Sequence, residues 1–213
     1  VASGDARSRG LVVAEAAALY EHFLAGSPSA LHTDRWLAAS AKQPCPRAVW
    51  RALERALLPG IVRHYALRKR WIEGRCEAAL NAGVERVIVL GAGFDTLGCR
   101  LSERGARIEV VEIDHPATQA AKRSAVATLS PPLQAPPRFI ACDLAHEALP
   151  AALMNDPRPT VVVAEGLLMY LGEDRVHRLF DQLHALSPAG VQLVFSHLVR
   201  WPDGRAGFRP CSG

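Results

Sequence analysis

A glycine-rich turn directly after a short apolar run restricts the folds open to this chain more than any other stretch. The run is Val87–Leu90 and the turn is Gly91-Ala92-Gly93. Four apolar residues before a glycine are typical of a strand that is buried on both faces of a parallel sheet. The two glycines let the backbone bend sharply and approach a ligand closely. An open α/β sheet binds nucleotide-like ligands at such a turn, although the same turn can simply join a strand to a helix.

Strand-like and helix-like segments alternate after residue 80. Strands are predicted at about 86–90, 107–113, 138–142, 160–164 and 191–198. Helices are predicted at about 116–129 and 173–186, with a short helix at 146–154 and a loop or short helix at 94–104. This alternation predicts a doubly wound, Rossmann-like α/β fold, in which a parallel sheet is built with right-handed crossovers.

The first 80 residues contain only helix-like segments. Their apolar residues recur at helical spacing, and prolines and glycines separate the segments. We expect residues 1–80 to form a helical cap or lid over one end of the sheet. Because no convincing linker separates them from the α/β core at 81–213, we expect both parts to belong to one domain.

The composition argues against several classes of protein. The 213 residues, 49% hydrophobic and 22% charged, are ordinary for a globular domain. No apolar run is long enough to span a membrane and no signal-peptide core is visible, so a cytoplasmic location is expected. A net charge of +4 with one short basic cluster argues against nucleic acid binding. Five cysteines without a C-x-x-C pair indicate free thiols, not a disulfide framework or a metal site.

Acidic residues stand at or just after the ends of the first four predicted strands. They are Asp95, Glu112, Asp114, Asp143 and Glu165. Because the carboxyl ends of parallel strands meet at one edge of the sheet, we expect these side chains to lie near one another. Carboxylates grouped in this way repel unless a ligand, a cation or arginines lie among them.

Asp114 has two interpretations. It lies 23 residues after Gly91, where an acid at the end of the second strand accepts hydrogen bonds from ribose hydroxyls. Alternatively, Asp114 or His115 caps the helix that is predicted to begin at Pro116.

The turn fits one class of cofactor better than another. A site for NAD favours Gly-x-Gly-x-x-Gly, but Thr96 stands at the third glycine position and Asp95 lies beside the turn. S-adenosylmethionine (SAM) has no phosphate, carries a sulfonium and a ribose, and has a carboxylate that suits an arginine. The residues therefore favour SAM, and an NAD-dependent oxidoreductase is the less favoured alternative.

Five segments in a fixed order resemble the leucine carboxyl methyltransferase-like family of SAM-dependent methyltransferases. This family also includes bacterial O-methyltransferases that act on polyketides and other small molecules, and the resemblance covers about residues 8–200. The segments are Tyr65–Arg70, Gly91–Thr96, Glu112–Pro116, Asp143-Leu144 and Ala164–Leu171.

The resemblance implies a role for each position. Cofactor-binding roles fall on Arg68 (methionyl carboxylate), Gly91 and Gly93 (methionyl part), Asp114 (ribose), Asp143 and Leu144 (adenine) and Glu165 (methionyl amino group). Residues expected to face the methyl acceptor are Leu168, Met169 and Tyr170. Structural alternatives remain for three of them: Arg68 on a helix surface, Asp143 as a helix cap, and Leu168 in the core.

The resemblance also implies the reaction. It is transfer of a methyl group from SAM to a carboxylate or hydroxyl of a small molecule, or to a protein C-terminal carboxylate, with S-adenosylhomocysteine as the product. A carboxylate acceptor needs no general base, whereas a hydroxyl benefits from one. Candidate bases are His64, Tyr65, Tyr170 and His197, and none is assigned. A catalytically impaired SAM-binding or interaction module is the alternative.

The chain departs from the family pattern at two places. Leu97-Gly98-Cys99-Arg100 replaces the usual bulkier run after the first motif. The chain also stops soon after the fifth predicted strand, where the family continues with an antiparallel strand pair. We therefore expect this pair to be missing and the apolar fifth strand to form a bare edge, open to self-association or to a partner.

Overall fold

The computed structural model describes residues 61–105, 107–127 and 132–197. Its helices and strands are, in chain order, α1 Ile61–Asn81, β1 Arg86–Leu90, α2 Leu97–Ser102, β2 Glu109–Asp114, α3 Pro116–Ala127, β3 Arg138–Ala141, β4 Thr160–Ala164, α4 Glu173–His184 and β5 Val191–Phe195. Two 3-10 turns add Ala151–Leu153 and Leu168–Tyr170.

The five strands form one parallel sheet in the order β3-β2-β1-β4-β5. The chain winds outward from β1 through β2 to β3 and then crosses back to β4 and β5. The order therefore reverses between β1 and β4, and the carboxyl edge at this switch point is where open α/β sheets place their ligands. The predicted doubly wound parallel sheet is confirmed.

The central strands are buried because helices cover both faces of the sheet. All five residues of β1 and all five of β4 are buried, as expected for β-branched runs in a parallel sheet. Ile88 and Leu90 pack with Leu179 of α4 on one face. Val87 and Val89 pack with Ile72 of α1 on the other. The sheet is therefore a rigid platform for the loops that leave its carboxyl edge.

The amino end of the sheet is closed by a buried arginine. Arg86 donates from Nε to Thr160 Oγ1 at 2.9 Å, and its two terminal nitrogens donate to the carbonyls of Leu153 and Leu186 at 3.0 and 3.1 Å. It also pairs with Asp156 at 3.1 Å. This network satisfies the buried guanidinium and leaves the opposite, carboxyl edge as the place for a site.

The short helix predicted at 146–154 is wrong. The structure has turns there, followed by the single 3-10 turn Ala151–Leu153. Pro150 lacks an N–H group and disfavours helical backbone at the residue before it. Upstream, the Asp143 carboxylate accepts a hydrogen bond from Ala145 N at 3.0 Å, which offers the backbone an alternative to a helix.

Two predictions about the ends of the chain lie largely outside the described residues. Of the helical cap at 1–80, the structure describes only residues 61–80, which belong to α1, so the cap and the domain division stay predictions. The same holds for the missing strand pair. In the part of the chain that is described, β5 pairs only with β4. No helix in that part is long and apolar enough to cross a membrane.

Candidate functional site

The turn after β1 has a backbone that requires both of its glycines. Gly91 has φ +60° and Gly93 has φ +50°, values that L side chains rarely adopt. The turn is pinned to β2, since Gly91 N donates to Ile113 O at 2.8 Å. A Cβ atom on Gly91 would lie 3.0 Å from Leu167 Cδ1. Leu167, which lies in the segment Ala164–Leu171 but had no role assigned from the sequence, therefore packs closely against the turn.

A cleft of about 210 Å³ opens beside this turn at the switch point of the sheet. It lies among the ends of β1 and β4, the loop after β1, and α1. The lining residues are Arg68, Lys69, Val89, Leu90, Gly91, Ala92, Gly93, Phe94, Asp95, Leu97, Val163 and Glu165. The structure thus brings together Arg68, both glycines and Glu165, as expected from the sequence.

Two acids and two cations form the charged wall of the cleft. Arg68 Nε donates to Glu165 Oε1 at 2.8 Å. Lys69 Nζ contacts the Asp95 carboxylate and lies 3.2 Å from Glu165 Oε2. The Glu165 and Asp95 side chains are only 10% and 19% exposed. The repulsion expected among these acids is therefore relieved by cations that α1 supplies.

Asp95 keeps its negative charge in this setting. Burial alone would raise the pKa of Asp95, but the charge and hydrogen bond of Lys69 and the hydrogen bond from Leu97 N lower it below its ordinary value. The Leu97 N–H donates to Asp95 Oδ1 at 2.9 Å. Asp95 therefore presents an ionised carboxylate to the cleft and also holds the first turn of α2.

Asp114 is bound to the glycine turn. Its Oδ2 accepts a hydrogen bond from Gly93 N, and its Oδ1 accepts one from His115 N at 2.6 Å. The ring of His115, not Asp114, faces the start of α3, where Ala117 N donates to His115 Nδ1 at 3.3 Å. Of the two interpretations, the capping role falls to His115, and the ribose role of Asp114 stays a prediction.

The two residues predicted to contact adenine have contacts within the protein, and Asp143 caps no helix in the described part of the chain. Asp143 accepts hydrogen bonds from Ala145 N and pairs with His146 Nδ1 at 2.7 Å. Both hydrogen bonds lower the pKa of Asp143, and the one from His146 has the larger effect. Leu144 is 7% exposed and belongs to the core below α4. Their roles at an adenine ring stay predictions.

The predicted acceptor residues lie outside the lining of the cleft. Leu168, Met169 and Tyr170 form the 3-10 turn after β4. Leu168 is partly buried against the core, whereas Tyr170 is 80% exposed. Among the candidate bases, His197 is exposed, with its ring 5.7 Å from that of Phe195. The side chains of His64 and Tyr65 lie outside the described residues. No base is assigned.

One strand-end acid does not reach the edge. Glu112 is 0% exposed and lies against Gly98 of α2, so the expectation that it joins the other acids is wrong. Its Oε2 lies 2.5 Å from Nζ of Lys122, which is also 0% exposed. Burial raises the pKa of Glu112 to about 7, although the charge of Lys122 opposes this rise. Lys122 itself carried no signal in the sequence, because a lysine within a helix is usually at the surface.

Exchanging Glu112 for glutamine should change the pH dependence of stability. Folding raises the Glu112 pKa from 4.5 to about 7. The protonated carboxyl therefore contributes fully to stability below pH 4.5, and this contribution is lost as the pH rises through about 7. Glutamine does not titrate. From about pH 5 to about pH 8, we expect the Tm of Glu112→Gln relative to wild type to increase by several degrees in calorimetric scans. A difference that stays constant with pH would contradict the raised pKa.

Sequence comparison places the chain among known proteins. The model of the family "Leucine carboxyl methyltransferase" matches residues 15–184. A protein of Mycolicibacterium smegmatis named "Putative S-adenosyl-L-methionine-dependent methyltransferase" is 38% identical over 133 residues, which cover 61% of this chain and 43% of that protein. A protein of the same name from Mycolicibacterium gilvum is 36% identical over 136 residues, 62% of this chain and 44% of that protein. The chain thus spans less than half the length of these curated relatives.

Similar solved structures include two methyltransferases. The methyltransferase domain of bacterial CtHen1 is 16% identical with a TM-score of 0.46, over 59% of this chain and 65% of that one. The glycopeptide N-methyltransferase MtfA complexed with SAM is 19% identical with a TM-score of 0.41, over 57% of this chain and 48% of that one.

Proposed function

The chain belongs to the leucine carboxyl methyltransferase family, and we propose that it forms the cofactor-binding part of a SAM-dependent O-methyltransferase. The methyl acceptor that we propose is a carboxylate or hydroxyl of a small molecule. The observation that carries the proposal is the cleft at the switch point, where two carboxylates and two cations surround a glycine turn.

The residues of the cleft fit the charges of SAM. The methionyl end of this cofactor is a zwitterion, with an ammonium group and a carboxylate on one carbon, next to a cationic sulfonium. Asp95 and Glu165 offer carboxylates to the cationic groups, and Arg68 and Lys69 offer donors to the carboxylate. A side chain at Gly91, which lines the cleft, would crowd Leu167. An acid beside the turn would instead repel the pyrophosphate of a nicotinamide cofactor.

Lys69 extends the set of residues that the family resemblance implied. Its ammonium lies between Asp95 and Glu165, and its side chain is 42% exposed. This position lets Lys69 neutralise both acids and swing towards a ligand carboxylate together with Arg68. We assign the methionyl carboxylate to both cations, and the methionyl amino group to the two acids.

Catalysis by this arrangement depends mainly on alignment. Bound SAM supplies a methyl group on a sulfonium, which is a good leaving group. The glycine turn is fixed to β2 by the hydrogen bond to Ile113 O, so the sheet edge would hold bound SAM in one orientation. Such positioning of two reactants lowers the activation barrier by up to ~7–11 kcal/mol. A carboxylate acceptor would need no further group from the protein.

Calorimetric titration tests cofactor binding directly. We expect the protein to bind SAM and S-adenosylhomocysteine and to give no heat with NAD or NADH. Arg68→Ala should weaken SAM binding by about tenfold or more, because a charge-assisted hydrogen bond is worth about 1.5–3 kcal/mol. Arg104→Ala is the matched control, since Arg104 pairs with Glu77 on α1 away from the cleft.

The titration has a clear negative outcome. If the folded protein gives no heat with SAM or S-adenosylhomocysteine, or binds NAD instead, the proposal is wrong. The acceptor class is then tested by transferring an isotope-labelled methyl group to candidate small molecules. A methyl ester releases labelled methanol in mild base, whereas a methyl ether does not, so this step separates carboxylate from hydroxyl acceptors.

A further inference from the structure

A buried ion pair lies next to the loop that lines the cleft. Lys122 of α3 and Glu112 of β2 are both 0% exposed, and Lys122 Nζ lies 2.5 Å from Glu112 Oε2. Among the described residues, Glu112 Oε1 has no hydrogen-bond donor. Removing two charges from water is costly, and an apolar pair of similar volume is often as stable or more so. Stability alone is therefore a weak reason for this pair.

The lysine has a second partner that belongs to the cleft. Lys122 Nζ donates a hydrogen bond to the main-chain carbonyl of Asp95 at 2.5 Å. Asp95 lines the cleft through its carboxylate, which meets Lys69 and the Leu97 N–H. Lys122 thus holds the main chain of Asp95, the residue whose carboxylate lines the cleft.

The same helix makes a second attachment to β2. Gln119 lies one turn before Lys122, is 1% exposed, and donates to the Glu112 carbonyl at 3.1 Å. α3 starts directly after Asp114, which itself accepts from Gly93 N. The loop after β1 is therefore held at two points, at Gly93 N by Asp114 at the end of β2 and at Asp95 O by Lys122 of α3.

We propose that Lys122, oriented by Glu112, is a positioning residue that fixes the Asp95 loop in the conformation that binds the cofactor. This inference rests on the proposed cofactor. Lys122 would then support cofactor binding although it is buried and does not touch the cofactor. Without the ammonium of Lys122, the Asp95 carbonyl loses its donor and the loop between Gly93 and Leu97 gains freedom, which the ligand must then remove on binding.

The test removes the charges and keeps the volume. The double variant Lys122→Met/Glu112→Gln deletes the donor to Asp95 O without leaving an unpaired buried charge. We expect its Tm to stay within a few degrees of wild type and its Kd for SAM to rise about tenfold. Single Glu112→Gln keeps the Lys122 donor but loses the carboxylate that orients it, so its Kd for SAM should lie between those of wild type and the double variant. If the double variant does not fold, Lys122→Met/Glu112→Leu provides the same comparison.

A stability control separates positioning from general loosening. Val161→Ala creates a small cavity near the amino end of β4, opposite Val87 and away from the cleft. It should lower the Tm and leave the Kd for SAM unchanged. A double variant that folds and binds SAM as tightly as wild type would overturn the proposal.

Hydrogen exchange gives a readout that does not need the cofactor. Backbone amides from Asp95 to Leu97 should exchange faster in the double variant than in wild type or in Val161→Ala. If wild type fails to bind SAM but this difference is seen, the proposed function is wrong and the positioning of the loop stands. Equal exchange in all three proteins contradicts the role of Lys122 whatever the ligand.

Discussion

Replacing Gly91 with alanine is expected to weaken SAM binding by about a hundredfold, the largest loss of affinity that the structure predicts for a single methyl group. Gly91 has φ +60°, where an L side chain costs roughly 1–2 kcal/mol. The added Cβ would also lie 3.0 Å from Leu167 Cδ1, so Leu167 or the turn that lines the cleft must shift. Calorimetric titration with SAM measures the loss.

Gly83→Ala is the control for backbone strain alone. Gly83 follows α1 with φ +96°, and a Cβ atom there meets nothing within 4 Å. It lies before β1, at the opposite end of the strand from the cleft. We expect a lower Tm and an unchanged Kd. Gly91→Ala protein that binds SAM as tightly as wild type would show that the turn does not contact the cofactor.

The features that the sequence predicted are those whose cause is local. The run Val87–Leu90 is apolar and β-branched, and its burial follows from that pattern in any parallel sheet. The positive φ of Gly91 and Gly93 follows from the absence of a side chain in a tight turn. The alternation of such runs with helical patterns was sufficient to predict a parallel, doubly wound sheet.

The features that the sequence did not predict depend on partners that are distant along the chain. Lys69 belongs to a basic cluster that is typical of a solvated helix face, yet it reaches Asp95 and Glu165, 26 and 96 residues away. Lys122 has the pattern of a surface lysine but is 0% exposed. Glu112 follows the same strand-end rule as Asp114, yet it is buried against α2 and α3. Only the three-dimensional packing of α1 and α3 on the sheet decides these cases.

The prediction with the largest expected effect on stability concerns Gly98 in α2. Alanine is favoured over glycine within a helix by about 1 kcal/mol, so helix propensity alone would predict a more stable variant. Here the added Cβ would overlap Glu112 Oε1 and lie 2.8 Å from its Cγ and Cδ. Because Glu112 is 0% exposed and held by Lys122, it has no space to move into. We expect Gly98→Ala to lose about 3 kcal/mol of unfolding free energy, the upper end of overpacking costs, in chemical denaturation.

A compensating variant identifies the cause of this loss. Gly98→Ala/Glu112→Ala/Lys122→Met removes the carboxylate that the new methyl group would meet, together with the cation that would otherwise be left unpaired. It should recover most of the stability, and a triple variant as unstable as Gly98→Ala would contradict the clash. It should nevertheless bind SAM weakly, because Asp95 O no longer receives the Lys122 hydrogen bond. Recovered stability together with weak SAM binding would show that the buried pair serves the loop, whereas a triple variant that binds SAM as tightly as wild type would contradict this role.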